Sequence, residues 1–153
     1  MTETFAIAPA QSKALWVVVA LILLTVLVPA VVMVITALGS VSSRVELSET
    51  GLRLRGDFYG RFIPAEALRG NEARIVNLAA ERDLSPVART MGTGLPGYRA
   101  GWFRLRNGEK ALLYVTDGSR VVYIPTNRGY SLLLSSQNPE RLVNRLREIA
   151  PAP

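Results

Sequence analysis

A chain of 153 residues with a net charge of +6, no histidine and no cysteine has room for one domain of modest size. It lacks the commonest general base, the best thiolate nucleophile and the usual soft metal ligands, so histidine- and thiol-dependent catalysis and thiolate or imidazole metal sites are excluded. Sixteen of its eighteen basic residues are arginine, and the whole positive excess falls after residue 13, where seventeen Arg and Lys face eleven Asp and Glu.

Residues 1–13 form a short polar tail with too few apolar side chains to fold alone. From Ala14 to Leu38 there follow twenty-five residues without a charge, sixteen of them Leu, Ile or Val. About twenty such residues, rising about 1.5 Å each, cross the hydrocarbon core of a bilayer. A cleaved secretory signal fits less well, because its apolar region runs about 7–15 residues behind a basic leader, and here Lys13 is opposed by Glu3. A buried core helix would show a polar face, whereas this stretch offers only Thr25, Thr36 and a central Pro29. The halves on either side of Pro29 are too short to span separately. One transmembrane helix over 14–38 is the reading that remains, with Pro29 removing one backbone hydrogen bond and bending it. Arg44, Arg53 and Arg55 follow closely, against Lys13 alone on the other flank, which favours a cytoplasmic location for the C-terminal part.

Gly39 to Ser43 reads as a small flexible connector, and 44–150 as one folded domain. Arg44–Ser48 and Leu52–Arg55 alternate and are joined through Glu49-Thr50-Gly51, which predicts a hairpin. After a break at Gly56-Asp57 come a strand over Tyr59–Ile63, a helical turn that Pro64 starts, and a strand within Ala73–Leu78. From Ala79 to Ala100 the pattern lapses into a long glycine- and proline-rich connection. Strands at Gly101–Arg106, Ala111–Thr116, Val121–Ile124 and Tyr130–Leu134, punctuated by Asn107-Gly108, Asp117-Gly118 and Asn127 to Gly129, predict a four-stranded meander. The chain closes with an amphipathic helix: Asn138 as N-cap, Pro139 at the first position, Glu140 in the first turn, Leu142, Val143, Leu146 and Ile149 on one face, and Pro151 as terminator. Seven or eight short antiparallel strands and one helix predict a sandwich or partial barrel whose open end the helix plugs.

Gly92-Thr-Gly94-Leu-Pro-Gly97 matches the letters of a dinucleotide loop, but Pro96 and the following strand stand where the phosphate-binding helix would start. Gly92, Gly94, Gly97 and Gly101 are therefore read as structural, permitting positive φ or close backbone packing in a crossover between sheets. The same loop carries Arg89, Tyr98 and Arg99, which offer a ligand or partner surface. Arg53 and Arg55 share one strand face, with Arg61 beside them, and these three offer a surface for anionic lipid headgroups. The acids Glu46, Glu49, Asp57, Glu66, Glu72, Glu81, Asp83, Glu109 and Asp117 are scattered, and Glu81 with Asp83 reads as a solvated loop rather than a cation site. Ser119, Ser135 and Ser136 have no base in view. No catalytic, cofactor or metal site is expected. Nucleic acid is disfavoured as a partner, since the basic residues are interspersed with acids and no recognition helix or stacking platform is visible.

The run GTGLPGYRAGWFRLRNG over 92–108, followed by LLYVTD, VVYIPT and YSLLLSSQNPERLVNRL, resembles the membrane-attached bacterial members of the pleckstrin-homology-like family across 45–149. The resemblance implies a mainly β, pleckstrin-homology-like sandwich or partial barrel capped by a C-terminal helix and attached to the bacterial cytoplasmic membrane; many relatives carry two or more membrane helices, whereas the single-pass reading here comes from the one apolar stretch over 14–38. It also implies a non-enzymatic protein that binds or scaffolds something at the membrane surface: a membrane protein, a second copy of itself, or anionic lipid.

Overall fold

The computed structural model describes residues 13–42, 44–55 and 59–150, so the expectations for the tail before Lys13, for Ser43, for Gly56-Asp57 and for Pro151 lie outside the described residues. The chain divides into two units, an apolar helix and a β-rich remainder. Helix α1 runs over Lys13–Ser42 with Pro29 inside it. Its stretch Lys13–Val34 is long and apolar enough to cross a membrane. The large apolar side chains from Leu15 to Val34 are exposed, Trp16 at 69% and Met33 at 72%. The helix also takes in Gly39 to Ser42, four of the five residues read as connector. Once a helix is propagating, each added residue gains a hydrogen bond for one pair of dihedrals fixed, and that outweighs the weak propensities of Gly and Ser.

The remainder is mainly β, with two sheets and a closing helix. Strands β1 (Arg44–Ser48), β2 (Gly51–Arg55) and β3 (Phe62–Pro64) form an antiparallel sheet in that order. Strands β4 (Arg74–Val76), β5 (Pro86–Leu95), β6 (Tyr98–Leu105), β7 (Lys110–Val115), β8 (Val121–Pro125) and β9 (Ser131–Ser135) form a second sheet in the order β4-β8-β9-β7-β6-β5. Alternation sends Leu52, Leu54 and Ile63 of the small sheet inward against Ala100, Leu112, Tyr114, Val122, Ile124, Leu132 and Leu134 of the large one. Helix α2 (Pro139–Ile149) adds Val143 and Leu146 to this core. It packs on β4, β8 and the 3-10 turn Gly70–Glu72. A side chain at Gly70 would lie 2.3 Å from the Leu146 carbonyl, so glycine lets that turn abut the helix backbone.

The opposite face of the large sheet is also covered: Phe103, Leu105, Leu113, Val115, Val121 and Leu133 pack with Val76 of β4 and with Leu78 and Leu84 from the segment that follows it. At the margin of this second cluster the Tyr123 and Ser131 hydroxyls donate to the Glu109 carboxylate. Burial, aided by that carboxylate, pushes the Tyr123 phenol above its ordinary value.

Two expectations are corrected. The last four strands do not form a meander: β9 lies between β7 and β8, parallel to β7 (Leu112 beside Leu132) and antiparallel to β8 (Ile124 beside Leu132). Its residues Ser131 to Leu134 are buried on both faces, and a strand apolar on both sides belongs at the centre of a sheet. Asp117-Gly118 therefore turns the chain over the end of β9, where the Asp117 N–H donates to the Ser135 hydroxyl and the Asp117 carboxylate accepts from the Ser119 N–H and hydroxyl. Asn107-Gly108 and Asn127 to Gly129, by contrast, do join paired strands. The second correction is that the connection predicted over Ala79–Ala100 contains the ten residues of β5 and the start of β6. Strand β5 is an edge exposed on both faces, so it carries no apolar alternation to read.

The remaining elements sit close to expectation. The strand predicted over Tyr59–Ile63 is Phe62–Pro64, and the turn after Pro64 is a single 3-10 turn over Ala65–Ala67. Asn138 occupies the N-cap position without a side-chain bond, its carbonyl accepting the Leu142 N–H.

Candidate interaction surface

Strands β5 and β6 make a hairpin closed by Pro96-Gly97, with Leu95 and Tyr98 as the last pair. Gly97 has φ +76°, the conformation a two-residue turn with proline first requires of its second residue. Halfway along, Gly92 faces Gly101, at φ +149° and +116°. A Cβ at Gly101 would lie 2.4 Å from the Met91 carbonyl and 2.5 Å from the Gly92 Cα, so the two strands meet closely there because neither residue has a side chain. Gly94 keeps an ordinary φ and lies beside Arg99. Gly92, Gly97 and Gly101 thus have the positive φ expected of them, within one hairpin of one sheet rather than in a crossover between two, while Gly94 has neither a positive φ nor a close backbone contact. No helix begins in the run, so the dinucleotide pattern has no phosphate-binding helix terminus.

The hairpin separates the three residues expected to act together. Tyr98 is buried in the core with Ala100, whereas Arg99, adjacent in the strand, points to the other face. Arg89 pairs with Phe103 and shares the Arg99 face; its guanidinium lies 3.7 Å from where a Gly94 Cβ would stand. Two arginines therefore flank one glycine, and neither takes part in an ion pair among the described residues. Residues 84–108 hold four arginines and no acid. Arg99 also lines a shallow cleft of about 420 Å³ at the tip of the hairpin.

On the face opposite to Gly92 and Gly94, Met91 and Leu95 are 63% and 46% exposed. Irregular pairing at Pro86/Ala88 and Arg89/Met91 disturbs the first half of β5, while Met91 to Leu95 pairs residue for residue with Tyr98 to Trp102. Among the described residues β5 pairs with β6 alone, which leaves its other edge with unpaired backbone groups.

The second group of expected residues is also divided. Arg53 lies over the Phe62 ring at 5.4 Å, on the outer face of the small sheet. Arg55 is tied to Glu46 at 3.0 Å. Arg61 leaves both and reaches Trp102, its guanidinium carbon 4.6 Å from the ring centroid. The Lys110 ammonium is 4.4 Å from the same centroid, and Tyr130 meets the indole edge-on at 5.0 Å. Two exposed cations are thus held on one indole whose body packs on the core. Lys110, Trp102, Met91 and Leu95 are not singled out by the sequence. The only local signal is the alternation of Gly, Trp and Arg in β6, which does not say what lies across the sheets.

Asp117 is held below its ordinary carboxylate value, first by the Ser119 N–H and then by the Ser119 hydroxyl. Glu81 is ion-paired with Arg74 at 2.5 Å, as a solvated loop carboxylate would be. No cluster of three or more acidic side chains suited to a metal occurs among the described residues.

Neither the curated proteins nor the solved structures gave a match to this chain. A family model, described as bacterial PH domain, matches residues 43–150. That span begins at the end of α1 and takes in both sheets and α2, and on it we place the chain in the bacterial PH domain family.

Proposed function

We propose that the protein is a membrane-anchored, non-enzymatic adaptor whose PH domain, on the cytoplasmic side of the bacterial inner membrane, binds a protein through the β5–β6 hairpin. The observation that carries this reading is the regular free edge from Met91 to Leu95, with apolar side chains exposed beside it. Folded domains usually blunt such edges, and an unblunted one offers backbone bonds to an incoming strand. The length and composition of Lys13–Val34 support the anchor, and Arg44, Arg53 and Arg55 support the orientation. A photo-crosslinking residue placed at Leu95 in living bacteria is expected to give discrete protein adducts, and one at Glu148 on α2 none. Absence of adducts at Leu95 and at Met91 would overturn the reading. Reporters fused after Pro153 test the orientation.

A second reading, anionic headgroup binding, is supported by the Arg61–Trp102–Lys110 arrangement. Of the arginines expected for that role only Arg61 belongs to this arrangement, Arg55 being engaged with Glu46. The domain is expected to bind phosphatidylglycerol vesicles at low salt and to lose most of that binding in R61S/K110S. Unchanged binding in that variant would dispose of the reading.

A further inference from the structure

Building on the reading of the hairpin as an interaction surface, we propose that its occupant is a second copy of this chain, the β1 edge of one copy adding to the β5 edge of the next. Among the described residues the small sheet ends on β1 just as the large sheet ends on β5. The outer edge of β1, Arg44 to Ser48, faces no strand among the described residues, and it is of similar length to the regularly paired stretch of β5 from Met91 to Leu95.

The chemistry of the two edges is complementary. On β5, Gly94 is flanked by Arg89 and Arg99, neither of them ion-paired, and the hairpin has no acid to satisfy them. On β1, Glu46 points away from the core between Val45 and Leu47, which point into it. Glu46 is bound to Arg55, but both side chains are at least half exposed, and such a surface pair contributes little and exchanges readily. Setting Glu46 opposite Gly94 fills the place where β5 has no side chain and brings a carboxylate to two guanidinium groups. In either strand direction the same register lays Val45 and Leu47 beside Thr93 and Leu95, on the face where Met91 and Leu95 are exposed. The inner faces of the two sheets become continuous.

Because the two edges differ, the contact is heterologous. A pair joined by one such contact keeps one β1 edge and one β5 edge open, so assembly continues beyond two copies, as an open row or, where the rotation between copies closes, as a ring.

The test uses the full chain in detergent micelles, followed by analytical ultracentrifugation over a hundredfold range of concentration. Wild type is expected to pass from monomer through dimer to larger species. E46R and R89E/R99E are each expected to weaken association at least tenfold, and the triple variant E46R/R89E/R99E, which swaps the charges, to restore it. Restoration also shows that the substituted chains fold. The proposal is overturned if wild type stays monomeric, if association ignores both charge reversals, or if the triple variant remains as weak as its parents. Crosslinking from Leu95 to a different protein, with a monomeric wild type, overturns the assembly of copies and leaves the hairpin reading standing. No adducts from Leu95 or Met91 end both.

Discussion

Gly97 and Gly101 both lie in the left-handed half of backbone space, but they differ in what surrounds them. A methyl group at Gly97 meets nothing within 4 Å, so Gly97→Ala carries only the strain of the conformation, about 1 kcal/mol. At Gly101 the same methyl collides with the backbone of β5, and Gly101→Ala is expected to lose about 3 kcal/mol or more by urea denaturation. The Pro96-Gly97 turn follows from local chemistry. The Gly92–Gly101 contact does not, because it joins residues whose proximity exists only once the hairpin has formed. Asp117 makes a second prediction at this scale. Its carboxyl titrates lower in the folded chain than its ordinary 3.8, so its contribution to stability is complete above that pH and is lost as pH falls through the folded value. Asp117→Asn is therefore expected to lower stability at pH 6 and to narrow its gap to wild type at pH 2.5, measured by denaturation at the two pH values.

Among the elements, α2 shows how far pattern carries. Its apolar stripe, Pro139 start and length are evident from the 3.6-residue period, and Leu146 is fully buried where the stripe predicts. Leu146→Ala is expected to lose about 2–5 kcal/mol, and Leu142→Ala, at the partly buried rim, clearly less. Strands are recognisable in the sequence where one face is buried, and β5 escapes notice because neither of its faces is. For β9 the strand is evident and its position is not, since Leu132-Leu133-Leu134 reports burial on both faces without naming the neighbours. The candidate surface shares this limit in part: Arg53 on Phe62 and Arg55 on Glu46 join neighbouring strands and Arg89 reaches Gly94 within one strand, but Arg61 meets Trp102 only because segments 41 residues apart in sequence come together.

For the whole molecule, the division into an apolar helix and a β-rich domain is readable from charge and hydropathy, because about twenty consecutive apolar residues without a charge are rare outside helices that meet lipid. If Lys13–Val34 spans the bilayer, arginine at its centre opposes insertion by about 2.5–3.5 kcal/mol per residue. The double substitution Leu23→Arg/Leu27→Arg is then expected to move the protein from the pellet to the supernatant after alkaline carbonate extraction, while wild type stays in the pellet. The arrangement of β9 bears on the order of biosynthesis. Helix α1 leaves the ribosome first, but the six-stranded sheet lacks a middle strand until Ser135 has been synthesised, about ninety residues later. The twenty residues from the end of β7 to the end of β9 take about 1–4 seconds at about 5–20 residues per second, and until they are made β7 and β8 have no strand to join them. Until Leu132 is made, Leu112 and Ile124 lack the neighbour that lies between them, and the incomplete sheet keeps their apolar surface open.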